Sequence, residues 1–185
     1  MDEFLIAVDA EDRPLHAVEK MSAHREGILH RAFSIFLFDT QGRVLLQQRA
    51  LGKYHSPGLW SNSCCGHPRP GEDTGAAALR RLHEELGLRC ALQPVTAFLY
   101  REAVSAELVE HEYDHVFVGI AHDLPQPDPG EVREWRWLAL SDLHRELARA
   151  PAHFTIWLHR IAERFGPEGL GAWRERALTA HLTAH

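Results

Sequence analysis

The sequence predicts a mixed α/β (α+β) fold: a mixed β-sheet flanked by helices, with extra strands at the amino end and extra helices at the carboxyl end. Three observations carry this expectation. The apolar run HRAFSIFLFD and the run VLLQQ are separated by the turn-forming TQGR of residues 40–43, which marks a hairpin. A helical stretch over 72–86 stands between strand-like segments. Later, PAHFTIWLHRIAERF places Phe154, Trp157, Leu158 and Ile161 at i, i+3, i+4 and i+7. Strands with helices before and after them indicate packed layers of the two.

In chain order, FLIAV followed by DAEDRPLHAVEK predicts a strand, a polar turn and a second strand. Residues 22–29 form a short helix or loop that holds His24. Strands follow over 30–39 and 44–48, then a basic loop over 49–57 and an approach to the motif over 58–63. The helix of 72–86 has Asp73 or Thr74 as N-cap and Gly87 as C-cap. Strands are expected over 88–100, 108–119 and 135–138, with PQPDPG at 125–130 a turn-rich connection, not a domain linker. Helices then occupy 141–150 and 151–165. Residues 166–171 break the second, and 172–185 form a last amphipathic helix.

The 185 residues fit one domain with a substantial core, and 45% hydrophobic with 25% charged residues is ordinary for a soluble globular chain. A net charge of -6 gives no general attraction to nucleic acid or anionic membrane, so anions must be held by locally placed Lys and Arg. The acidic MDEFLIAVDAEDRP does not resemble a signal peptide, and no stretch approaches a membrane span. Three cysteines, two adjacent, make no disulfide framework and no C-x-x-C centre. A cytoplasmic protein follows as the expectation.

The chemistry concentrates in WSNSCCGHPRPGEDTGAAALRRLHEELGL, residues 60–88. A thiol pair, an imidazole, a Pro/Gly-rich loop and a carboxylate-bearing helix present oxygen ligands suited to a hard metal ion that itself holds phosphates. From Gly66 the chain runs five residues to Glu72, then seven to Arg80, Arg81, Leu82, His83, Glu84, Glu85, Leu86, Gly87 and Leu88. This resembles the Nudix box, with Arg81 where a hydrolase has the first Glu of its REUXEE.

On a helical wheel with Leu79 at the origin, Leu82 and Leu86 fall at about 300° and 340° and form the buried stripe. Glu85, Arg81 and Glu84 fall at about 240°, 200° and 140°. Arg81 thus puts a cation among the carboxylates. At most one Mg²⁺ is expected here, held by Glu85, with Arg81 turned to a phosphate oxygen and Glu84 solvated.

Two further groups stand out. His24, His30, His67, Glu110 and Glu112 make a mixed N/O donor set suited to Zn²⁺ or Mn²⁺, and Glu110 and Glu112 share one strand face at i, i+2. Lys20, Arg49, Lys53 and Arg81 are candidate anion contacts.

Together the segments VEKMSAH, LHRAFSIFLF, QRALGKYHSPGLWSNSCCGHP, RRLHEELG, the EHE of 110–112 and FTIWL resemble type I isopentenyl-diphosphate isomerases, a divergent Nudix-fold family. The resemblance implies a single Nudix-type isomerase domain over 1–185, with its box at 66–88 and a helical extension at 166–185. It implies catalytic roles for Cys65 and Glu112, with Tyr100 and Trp157 in support. It also implies one divalent metal (Mn²⁺, Zn²⁺ or Mg²⁺) on the three histidines with Glu110 and Glu112, and Mg²⁺ at Glu85. Diphosphate contacts fall to Lys20, Arg49, Lys53 and Arg81. Cys64 is not the matching thiol and is expected to be a buried small residue.

The implied reaction interconverts isopentenyl and dimethylallyl diphosphate through a tertiary carbocation. It needs an acid and a base on opposite sides of a flat carbon skeleton, with water excluded. Glu112 with Tyr100 is the expected donor and Cys65 the base, exchanging roles in reverse. Trp157 contributes roughly 2 kcal/mol of cation–π stabilisation if desolvated. The expected partner is a small prenyl diphosphate, with no nucleic acid or membrane, and the protein a monomer or weak homodimer. Glu84 keeps open a Nudix hydrolase of nucleotide or prenyl diphosphates as the alternative. A metal-storing module would use neither the thiol nor the basic loop.

Overall fold

The computed structural model describes residues 3–183. Strands β1 (Phe4–Val8) and β2 (Pro14–Glu19) form an antiparallel hairpin, and α1 (Lys20–Glu26) follows directly. The Glu19 carboxylate caps α1 by accepting the N–H groups of Met21 and Ser22, which starts the helix at Lys20, two residues before the expected segment. Lys20 is thereby fixed at a helix start, with His24 one turn on.

The centre of the sheet is β3 (His30–Phe38). One edge pairs in parallel with β8 (Val109–Ile120), from His30 opposite Glu112 to Phe38 opposite Ile120. The other edge takes three partners in turn: β1 at His30, β6 (Cys64–Gly66) at residues 33–35, and β4 (Val44–Arg49) at Phe38. The hairpin read from TQGR therefore opens after its first pair. Into the gap comes WSNSCCG, with β5 (Trp60–Ser61) on β4 and β6 on β3.

Side chains replace the ladder that β3 and β4 forgo. Asn62 donates to the carbonyls of Ile35 and Cys64, while Ser63 donates to the Leu45 carbonyl and accepts the Leu37 N–H. Ser61, Asn62 and Ser63 are all buried. Buried polar groups must be paired, and here the pairing places Cys65 opposite Ser34.

Strand alternation sorts the two faces. Phe33, Ile35, Leu37 and Phe117 pack on α2 (Thr74–Leu86) through Ala77, Ala78, Leu82 and Leu86. Phe36, Phe38, Val116 and Val118 pack on α3 (Leu140–Arg149) and α4 (Ile156–Thr183) through Leu143, Leu158, Ile161, Leu170 and Trp173. By the same period of two, His30, Ser34, Glu110, Glu112 and Asp114 face the α4 side. Strand β7 (Gln93–Ala103) adds Tyr100 opposite Glu112, and β9 (Val132–Leu138) pairs β4.

Several boundaries differ from expectation, each for a local reason. Asp73 caps α2 through the Ala76 N–H, so that helix begins at Thr74 and not at residue 72, and it ends at Gly87 with φ 67°. Strand β7 starts at Gln93, not residue 88, because Leu88 is still packed beside α2. Strand β9 starts at Val132, earlier than 135, because Val132 pairs with Arg49. Residues 151–153 form a 3₁₀ turn, and the Thr155 N–H goes to the Trp60 carbonyl, so α4 begins at Ile156. The expected break over 166–171 is a single residue: Gly166 takes φ 63°, ψ −176°, and Pro167 restarts the helix. Ala184 and His185 of the expected last helix lie outside the described residues, as do Met1 and Asp2. Among the described residues no helix is long and apolar enough to cross a membrane.

Candidate active site

Sheet register assembles the first half of the site. His30 and Tyr100 flank Glu112 on neighbouring strands, and α1 and the loop after β6 bring His24 and His67 over the same end. Donor atoms of His24, His30, His67, Glu110 and Glu112 all lie within 4.8 Å of one another. Three imidazoles and two carboxylates form a cluster that could hold a divalent ion.

The histidines are aimed by their second nitrogens. His24 Nδ1 meets the Lys20 carbonyl at 2.7 Å and His30 Nδ1 meets the Ile28 carbonyl at 2.8 Å, so each Nδ1–H donates outward and each Nε2 faces the cluster with its lone pair. His67 Nε2 lies 2.9 Å from Glu112 Oε1. Among the buried polar atoms without a hydrogen-bond partner are His30 Nε2 and Glu110 Oε2, both in this cluster. Such orphans are costly in a dry interior, and a metal ion fits the set because it satisfies both.

The electrostatics run the same way. Burial pushes His67 down to about 4, which keeps it neutral and ligand-competent. Burial also works against a proton on His24, but Glu110 outweighs it and holds His24 above its ordinary value. Glu110 itself is held well below the usual carboxylate range despite burial, by the nearby His24 and by His55, whose Nε2 lies 3.0 Å from Oε1. Glu112 is likewise lowered against burial and the Glu110 charge, through His30 and His67.

Beside this cluster lies a cavity of about 140 Å³. Glu112, Cys65 and Trp157 all line it. Tyr100 stands behind Glu112 and donates its hydroxyl to Oε2 at 2.5 Å. Burial pushes the Cys65 thiol up to about 12, with Arg49 working against it, so the thiol carries its proton in the free site. Cys64 is fully buried against α2, as expected. The Trp157 indole is fixed by donating Nε1–H to Ser61 Oγ at 2.9 Å and to Asn62 Oδ1 at 3.2 Å.

The four basic residues line the same cavity, each already engaged. Lys20 Nζ pairs with Glu3 at 2.8 Å, and Lys53 pairs with Glu131. Arg81 reaches Glu85 at 2.6 Å, Glu84 at 2.8 Å and Glu131 at 3.2 Å. Arg49 donates to the His55 carbonyl at 3.1 Å and lies 5.1 Å from the Trp157 ring centre, its Nε buried without a partner. Glu85 is buried on the flank of the apolar stripe, where Gln47 donates to Oε2 at 2.9 Å and Arg81 holds Oε1. Glu84 is more exposed and ion-paired with Arg80 and Arg81, so it is not free in solvent.

Sequence reading missed three contributors: His55, Glu131 and Glu3. His55 stood inside the segment KYHSPGLW but gave no periodic signal, because it lies in a loop. Glu131 directly follows the PQPDPG turn, where no periodicity marks it. Glu3 comes from the acidic amino end.

The NUDIX domain family matches residues 28–158. A protein of Serratia proteamaculans (strain 568) named isopentenyl-diphosphate Delta-isomerase is 51% identical over 177 residues, covering 96% of this chain and 99% of that protein. One of the same name from Burkholderia multivorans (strain ATCC 17616 / 249) is 53% identical over 176 residues, covering 95% of this chain and 100% of that protein. The crystal structure of DR0079 from Deinococcus radiodurans shares the fold, with a TM-score of 0.72 at 20% identity over 87% of this chain and 98% of that one. The chain belongs to the isopentenyl-diphosphate Delta-isomerase family and carries that family's NUDIX domain.

Proposed function

We propose that this protein interconverts isopentenyl and dimethylallyl diphosphate by moving one double bond. The observation that carries this reading is the placing of Cys65 and the Glu112–Tyr100 pair on the wall of one small cavity, with basic residues on that wall as well. An alkene must gain a proton at its terminal carbon and lose one from the neighbouring methylene. Two groups that each hold or accept a proton serve both steps.

In one direction Cys65, whose thiol carries its proton in the free site, is the donor and Glu112 the acceptor; in the other the two exchange roles. Trp157, held by Ser61 and Asn62, presents an aromatic wall to the carbon skeleton while its cation lasts. Burial of Glu112 and Trp157 limits the access of water that would trap that cation.

Lys20, Arg49, Lys53 and Arg81 bind the diphosphate and convert its binding energy into positioning. We assign a divalent ion (Mn²⁺, Zn²⁺ or Mg²⁺) to the His/Glu cluster, where it would fix Glu112 and offset the buried negative charge. A Mg²⁺ accompanying the diphosphate falls to Glu85. All of these groups come from one chain, so a monomer or weak homodimer suffices.

The hydrolase alternative is less supported, because Arg81 and Glu84 pair with each other and leave Glu85 as the buried carboxylate of the box. Incubation of metal-loaded protein with isopentenyl diphosphate distinguishes the two. Isomerase activity yields dimethylallyl diphosphate with no phosphate released. Release of orthophosphate or pyrophosphate overturns the reading.

A further inference from the structure

His55 belongs to none of the assigned roles, yet it sits where three of them meet. It is buried, and its Nε2 lies 3.0 Å from Glu110 Oε1. An ionised carboxylate only accepts, so His55 donates Nε2–H there. The other Glu110 oxygen, Oε2, stands 3.4 Å from His24 Nε2 and has no hydrogen-bond partner. Glu110 is thus split: one oxygen is tied to His55 and the other is turned toward the cluster.

The chain invests strain to keep His55 in place. Ser56 takes φ 50°, a left-handed conformation uncommon for a non-glycine residue, and its hydroxyl lies 3.3 Å from His55 Nδ1. The Arg49 guanidinium donates to the His55 carbonyl at 3.1 Å. The imidazole also meets Trp157 edge to face, with ring centres 5.7 Å apart.

We propose that His55 is a positioning residue for the metal site. By holding Glu110 Oε1, it makes Glu110 a one-oxygen ligand through Oε2 and fixes the direction from which that oxygen approaches. This rests on reading the His/Glu cluster as a metal site. Without the Nε2–H, Glu110 can turn away or offer both oxygens, so both affinity and coordination geometry change. Outer partners of this kind typically contribute about 10–100-fold to metal affinity. The same residue links the metal to the Arg49 arm and the Trp157 wall.

The test uses purified full-length protein stripped with a chelator and titrated with Co²⁺, whose visible spectrum reports ligand number and geometry. His55→Phe keeps the ring shape and removes the donor, whereas His55→Gln keeps an N–H of similar reach. The expected result is about 10–100-fold weaker Co²⁺ binding and an altered spectrum for His55→Phe, with affinity and spectrum restored by His55→Gln. Melting temperatures of the metal-free proteins check folding. Should His55→Phe fail that check, His55→Asn, whose amide is too short to reach Oε1, replaces it with the same expected loss. Wild-type affinity and spectrum in a folded donor-free variant overturn the proposal. A wild-type protein that takes up no Co²⁺ overturns the metal reading itself, and with it this role.

Discussion

The two ends of the cavity are built in opposite ways. At the reactive end, Glu112 is set by its register with His30 and Tyr100, and Cys65 by its register with Ser34. His24, His30, Glu110 and Glu112 are all buried. At the anion end, Lys20 is 20% and Arg81 22% exposed at the side chain, and both come from helices, not from the sheet. Their charges are met by Glu3, Glu84, Glu85 and Glu131. On the proposed assignment, the groups that do chemistry are placed by backbone pairing, while three of the four cations that bind, Lys20, Lys53 and Arg81, are held in ion pairs. Rigid placement serves a step sensitive to small displacements. Such pairs keep cations from standing unpaired until the substrate arrives.

Four predictions break or sharpen that contrast. The largest effect belongs to the reactive end: Cys65→Ala should lower kcat by about 10²–10⁴-fold with KM little changed, the range for a lost acid or base. Steady-state kinetics of the folded variant checks this, and a KM effect alone would place Cys65 among the binding groups. Next, Lys53→Ala and Arg81→Ala should raise KM by about 10–100-fold, the equivalent of about 1.5–3 kcal/mol for a hydrogen bond to a charged group. Raising ionic strength should weaken substrate binding in the wild type.

The third concerns pH. His67 is pushed from 6.5 to about 4 by burial, so between those values the unfolded chain binds a proton that the folded chain refuses. Stability is therefore present above 6.5 and lost as pH falls toward 4, by on the order of 3 kcal/mol for this group. Thermal melts of metal-free protein should show a steeper loss over this window than melts of His67→Asn, and parallel curves would contradict it. The smallest effect is Glu131→Gln. Releasing Lys53 and Arg81 should lower KM a few-fold, and a raised KM would show that Glu131 orients the cations instead of merely occupying them.

How much of this the sequence disclosed follows from where periodicity exists. Glu110 and Glu112 could be placed on one face because a strand repeats every two residues, and the box helix could be drawn because a helix repeats every 3.6. Even so, the wheel put Glu85 on the far arc, while it is buried, since an arginine and a glutamine supply partners in the core. Strands β5 and β6 are too short to carry a period, and their pairing is completed by Asn62 and Ser63 side chains that no pattern reveals. His55 and Glu131 lie in loops, where position depends on tertiary contacts such as the strained turn at Ser56. The Gly-rich 166–171 looked like a break because glycine is a poor helix former, whereas Leu170 and Trp173 are packed into the core and hold the helix together across one kink.

The central claim is that Cys65 and Glu112 work as a donor–acceptor pair across a pre-formed cavity. Its most direct test is proton NMR of metal-loaded protein with isopentenyl diphosphate in D₂O, comparing wild type with Cys65→Ala and Glu112→Gln. The account predicts dimethylallyl diphosphate carrying deuterium in its methyl groups for the wild type, and loss of that product in both variants. Deuterated product formed at the wild-type rate by either variant would contradict it.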